Sequence, residues 1–149
     1  MADSRRPGSP RRAPERRLAL AARRVLAWEQ ASRTRVEITL LDAAAMRRLN
    51  RRVTGSRALT DVLSFTFPQP DGTVLGDVYI CPAAAVRWVR ATGNGRRPGG
   101  DVDEELLRLV VHGTLHVLGY DHSAGRGRTR SPMWRLQEQY VGRLAGLAR

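Results

Sequence analysis

The 149-residue chain has one cysteine, no lysine, three histidines and only 5% aromatic residues. The lone Cys81 excludes an internal disulfide and agrees with a reducing compartment. It falls in a predicted strand and is expected to be a small buried hydrophobe, not a nucleophile. No apolar run approaches the ~18 residues that span a bilayer. The chain does not open on a charged leader followed by an apolar core and a small-residue cleavage site. It is therefore expected to be soluble and cytoplasmic, with no membrane partner. There is no internal repeat, and no break in composition marks a second folded domain.

What is abundant is positive charge. The formal net charge is +12, and all 26 basic residues are arginine. Such a balance points to a polyanionic partner, of which single-stranded RNA is the natural one. The choice of arginine over lysine is equally the mark of a GC-rich genome, so only the net charge bears on the partner. At 42% hydrophobic residues the chain can bury one real core.

Residues 1–17 are rich in Pro, Ser and Arg and have no apolar periodicity. They are expected to form a disordered basic arm ahead of a folded domain over 18–149. Leu18, Ala22, Val25 and Leu26 recur at helical spacing and predict a first helix from about Glu15 to Trp28. Val36, Ile38 and Leu40 alternate with Glu37 and Thr39, which predicts a half-buried strand over 35–41. Asp42 suits the N-cap of a short helix reaching about Leu49, with Met46 and Leu49 inward. A basic loop then carries Arg51, Arg52 and Arg57. Strands over 61–67 and 73–80 flank a Pro-Gln-Pro-Asp-Gly turn and predict an antiparallel hairpin. Pro82 opens a helix to Ala91, and a Gly/Arg-rich loop follows. A helix over 102–118 starts near Asp101, with Glu104 and Glu105 matching its dipole. After an Arg/Gly loop over 123–130, Ser131-Pro132 caps and opens a last helix. Its Met133, Leu136, Tyr140 and Leu144 share a face.

All three histidines lie between residues 112 and 122. His112 and His116 stand one turn apart on one helical face. Gly119 is placed to end the helix in the left-handed conformation and turn the chain, bringing His122 toward the same point. Three imidazoles are the usual protein share of a catalytic zinc centre, with the fourth position left for water. The spacing alone also suits Ni, Co or Cu. It matches the metal-peptidase pattern H-E-x-x-H-x-x-G-x-x-H except at one position. Where those peptidases place the glutamate that deprotonates the water, this chain has Gly113. General-base catalysis is worth ~100- to 10,000-fold, so peptide hydrolysis is disfavoured. Phosphodiester cleavage needs no base at that place, since arginines offset charge at phosphorus and a metal polarises the phosphoryl oxygen. Asp121, beside His122, is a candidate to orient a ligand imidazole or assist proton transfer, and equally a candidate for an ordinary turn hydrogen bond.

The run from His112 to His122 resembles the H-G-x-L-H-L-x-G-Y-D-H motif of the YbeY family of bacterial rRNA-maturation endoribonucleases. Leu49-Asn50 followed by Thr60-Asp61-Val62-Leu63-Ser64-Phe65 resembles a second block of that family. Gly76-Asp77-Val78-Tyr79-Ile80 resembles its G-D-I-x-I strand. Met133 and Gln137-Glu138 fall where its last helix has Met and Gln-Glu. The resemblance runs in order from about Val36 to Val141. It implies a single-domain α+β fold, with a mixed four-stranded sheet packed by about five helices and a metal site at the end of a central helix. It further implies one zinc ion on His112, His116 and His122, and cleavage of single-stranded RNA. In the family that activity serves 3′-end maturation of the 16S rRNA and ribosome quality control, which makes small-subunit rRNA and ribosome assembly proteins the expected partners.

One departure bears on activity. The family's arginine before the conserved glycine of this loop, a residue held to touch substrate phosphate, is Thr54 here, while Gly55 is kept. Arg57, or failing it Arg52, is the candidate to take its place, because a long arginine in a loop can reach a neighbouring phosphate. The rival reading is a ribosome-associated RNA-binding assembly factor whose metal is mainly structural.

Overall fold

The computed structural model describes residues 13–92, 100–121 and 131–147. The predicted elements form in the predicted order. Helix α1 (Ala13–Trp28) leads to strand β1 (Thr34–Leu40), then α2 (Ala43–Thr54), β2 (Val62–Pro68) and β3 (Val74–Ile80). Helices α3 (Pro82–Thr92), α4 (Gly100–Val117) and α5 (Pro132–Leu147) complete the chain. No helix among the described residues is long and apolar enough to cross a membrane.

The sheet is mixed, in the order β1-β3-β2. Strand β3 pairs parallel with β1, Val36 opposite Gly76 and Ile38 opposite Val78. It pairs antiparallel with β2, Ser64 opposite Val78, which is the expected hairpin. The sheet has three strands among the described residues, not the four implied by the family resemblance. These are the three that the residue alternation itself predicts.

One side of the sheet meets α4, with α1 packed on β1, and on the other side Leu63 of β2 and Tyr79 of β3 meet Met46 of α2. Ile38, Val78 and Ile80 are fully enclosed with Val25, Val110, Val111 and Leu115, and α5 adds Met133, Tyr140, Val141 and Leu144 from behind. On the reverse side Met46, Cys81 and Ala84 pack with Leu63 and Tyr79. Cys81 has no exposed surface and lies one residue past β3, at the start of α3.

Two glycines let α4 lie unusually close on the sheet. A β-carbon at Gly113 would stand 2.5 Å from a Val78 methyl and 3.0 Å from Ser64 Oγ, and one at Gly76 would stand 2.5 Å from a Val117 methyl. Side chains at both positions are excluded by close packing. The helix axis is thereby fixed along β3, and the next face round the helix, bearing His112 and His116, is left half-buried at its side.

Two boundaries differ from expectation. Helix α1 begins at Ala13, so residues 13–17 of the expected arm are helical; the remainder, 1–12, lies outside the described residues. Helix α2 is capped by Asp42, whose carboxylate accepts from the Ala45 N–H at 2.8 Å, but it runs to Thr54 instead of Leu49. Its last turn carries Arg51 and Arg52, where positive charge complements the helix dipole. Asn50 is buried and gives the extension a reason. Its amide donates to Ala58 O at 2.9 Å, and its side-chain oxygen accepts from Thr54 Oγ at 2.9 Å, tying the helix end to the following loop.

Candidate metal centre

His112 and His116 occupy successive turns of α4, and their rings meet edge to face with centroids 4.5 Å apart. Their Nε2 atoms are 3.0 Å apart. The outer nitrogens decide what that contact means. His116 Nδ1 lies 3.0 Å from the carbonyl oxygen of Tyr120, which can only accept. His112 Nδ1 lies 2.8 Å from Gln137 Oε1. The Gln137 amide cannot be turned round, because its Nε2 donates to Glu138 Oε2 at 3.1 Å and a reversed amide would set oxygen against carboxylate. Both imidazoles therefore carry hydrogen on Nδ1, which leaves Nε2 as the nitrogen that can ligate a metal.

Nε2 atoms this close share a proton or a metal ion. Nitrogens that share one tetrahedral zinc stand about 3.3 Å apart, given bonds of ~2.0–2.1 Å. The pair thus fits a common ion, and its outer hydrogen bonds are those that fix a ligand imidazole's tautomer and ring plane. The third histidine, His122, lies outside the described residues. The chain is started toward it by Gly119, at φ 97°, while the Tyr120 N–H donates to Leu115 O at 3.0 Å.

Behind Gln137 stands a charged anchor. Arg108 holds both oxygens of Glu138 at 2.9 Å and binds Glu105 and Glu104 at the same distance. Burial alone would lower the arginine's pKa, but its bonds to Glu138 and Glu105 outweigh this and raise it. The Glu105 carboxyl is pushed up by burial, against the pull of Arg108. A continuous chain Arg108–Glu138–Gln137–His112 joins this cluster to the first imidazole.

The other predicted site residues are placed as follows. Arg57 is exposed in the loop 55–61, with no side-chain hydrogen bond or ion pair among the described residues. Arg52 is exposed in the last turn of α2. Asp121 is exposed beyond Tyr120, and the two described imidazoles are oriented by Gln137 and the Tyr120 carbonyl. Thr54, where the family arginine was expected, turns its hydroxyl inward to Asn50. Of the orienting groups, Gln137-Glu138 was visible in the sequence only as part of the family resemblance, and Arg108 had no local signal.

Residues 10–145 match the sequence profile of the family described as Endoribonuclease YbeY. The chain belongs to that family. It is 34% identical over 142 residues to the endoribonuclease YbeY of Micrococcus luteus, covering 89% of this chain and 85% of that protein. It is 36% identical to the Frankia casuarinae endoribonuclease YbeY, covering 85% of this chain and 66% of the other. The solution structure of TM1509 from Thermotoga maritima superposes with a TM-score of 0.64 at 28% identity, over 91% of this chain and 84% of that one. Membership of the YbeY family agrees with the α+β architecture and gives the histidine pair a context in RNA chemistry.

Proposed function

We propose that this YbeY-family chain is a metal-dependent endoribonuclease that cuts single-stranded RNA, with one zinc ion held by His112, His116 and His122. The observation that carries the reading is the pair of Nε2 atoms at 3.0 Å with both Nδ1–H groups already engaged. When bound, zinc supplies Lewis acidity and a water acidic enough to ionise near neutral pH. The chain's own part is to hold the imidazoles in one tautomer, to keep α4 against the sheet, and to bring arginines to the phosphate. Arg57 is the candidate for that contact, since it is exposed on the loop where Thr54 has turned inward. We assign the activity to 3′-end maturation of 16S rRNA and to ribosome quality control in the cytoplasm, with ribosome assembly proteins as partners.

The test is cleavage of a labelled single-stranded RNA together with metal analysis. His116→Ala is expected to lose both zinc and cleavage, and Arg57→Ala to weaken cleavage while keeping zinc. Cleavage that survives in the metal-free His116→Ala protein refutes the mechanism. The inward-turned Thr54 favours one second reading, an RNA-binding assembly factor with a structural metal. Steeply salt-dependent RNA binding without turnover, even with added zinc, would select it.

A further inference from the structure

The turn that follows α4 is also held from the end of α1. Glu29, the residue after α1, accepts the phenol hydrogen of Tyr120 on Oε1 and that of Tyr140 on Oε2, both at 2.5 Å. These are short, charge-assisted bonds. The carboxylate is itself fixed. Its backbone N–H donates to Val25 O at 2.9 Å, and the chain leaves α1 through Gln30 at φ 55°. The Tyr140 ring packs on Trp28 with centroids 5.2 Å apart, and the Arg143 guanidinium sits 5.0 Å over the same indole. Tyr120 is the only other group on Glu29 in these contacts, and it is also the residue whose carbonyl takes the His116 Nδ1–H. Its side chain is 36% exposed and its backbone N–H donates to Leu115 O at 3.0 Å, so the phenol bond adds a side-chain tether to a backbone one.

We infer that Glu29 is a positioning residue for the metal centre. By fixing the Tyr120 phenol it holds the Tyr120 carbonyl against His116 Nδ1, and so keeps His116 Nε2 turned to His112 Nε2. The two oxygens of one carboxylate divide the work. Oε2 ties α1 to α5 through Tyr140, and Oε1 ties α1 to the ligand-bearing turn. This inference rests on the metal-centre reading given above.

The two arms can be cut separately. Tyr120→Phe removes the site arm at an exposed position where folding is not threatened, and Tyr140→Phe removes the packing arm. Glu29→Ala removes both, and Glu29→Gln keeps one accepting oxygen. The readouts are the His116 tautomer in nitrogen-15 spectra of the metal-free protein, zinc affinity by chelator competition, and Tm. Tyr120→Phe and Glu29→Ala are expected to give mixed His116 tautomers and to lower zinc affinity about tenfold. Glu29→Gln is expected to fall between these and wild type. Tyr140→Phe is expected to lower Tm while leaving the tautomer and zinc affinity within about twofold of wild type. A Tyr120→Phe protein with a pure wild-type tautomer and unchanged zinc affinity overturns the inference and leaves Glu29 a strut. A wild-type protein that binds no zinc refutes the metal reading instead, and the tautomer measurement still decides whether Glu29 governs His116.

Discussion

Replacing Gln137 by Leu isolates the contribution of the orienting chain behind His112. The side chain is nearly inaccessible, and leucine is close to it in size, so packing changes little while two hydrogen bonds disappear. His112 loses the acceptor that holds hydrogen on Nδ1, leaving the ring to choose between tautomers or to stand with an unpaired N–H, a loss of roughly 1–3 kcal/mol. Partners that orient a ligand imidazole are worth about 10- to 100-fold in metal affinity, or about 1.4–2.7 kcal/mol. The two figures agree in size, as they should if the affinity loss is the cost of recreating the oriented imidazole.

The assay is competition for zinc against a chromophoric chelator at pH 7, with circular dichroism to confirm the fold. Glu is the informative control. A carboxylate at 137 still accepts from His112 Nδ1 and strengthens that bond, but it meets Glu138 at close range. Gln137→Glu is therefore expected to keep zinc affinity near wild type while losing thermal stability, and Gln137→Leu to lower zinc affinity about 10- to 100-fold. Gln137→Leu with affinity within twofold of wild type would refute the orienting role.

Three further outcomes follow from the packing and the charges. Gly113→Ala forces a methyl into Val78 and is expected to cost about 1–3 kcal/mol, less the ~1 kcal/mol that alanine gains in a helix; a higher urea midpoint would refute the close helix-sheet contact. Arg108→Met leaves Glu104, Glu105 and Glu138 facing one another and is expected to cost on the order of 3 kcal/mol at pH 7. The loss should shrink toward pH 5, because the crowded carboxyls of the folded variant then bind protons that the unfolded chain does not; equal losses at both pH values would refute the assignment. Burial, and then the bond to Glu29, push the Tyr140 phenol up to about 12, so its contribution to stability is full below the ordinary tyrosine value near ~10 and is lost as pH rises through its folded value. Ultraviolet titration should show this phenol ionising late in wild type and earlier in Glu29→Gln, and unchanged titration would separate it from Glu29.

The elements of the fold were legible because each is amphipathic with its own period. Ile38 alternates with polar neighbours in β1, and Val25 and Leu26 repeat along α1, so local sequence and tertiary burial agree. The end of α2 was not legible, because what extends it is a polar contact: buried Asn50 reaches forward to Ala58 and Thr54. Apolar periodicity carries no trace of such a contact. The candidate site divides the same way. One helical turn and one glycine announce His112, His116 and the turn at Gly119. The acceptor for His112 lies 25 residues on at Gln137, and the Tyr120 that serves His116 is tied to Glu29, 91 residues before Tyr120. Only the assembled fold brings these together.

The close contact at Gly113 also bears on the chemistry. Its spacing relates the segment to metal peptidases, and absence of the glutamate could be read as a simple loss. The packing makes it a constraint, since any side chain there would point at Val78 and Ser64 in the sheet and not at the imidazoles. No base can enter from that position while α4 keeps its seat. The nucleophile, whether water or the RNA 2′-hydroxyl, must therefore give its proton to another group, for which exposed Asp121 is the candidate. Product ends separate these routes. A 2′,3′-cyclic phosphate marks attack by the ribose. A 5′-phosphate with a free 3′-hydroxyl marks attack by water, and in that case Asp121→Asn is expected to lower kcat by ~100-fold or more with KM unchanged. Water attack with full kcat in Asp121→Asn would remove Asp121 from the mechanism.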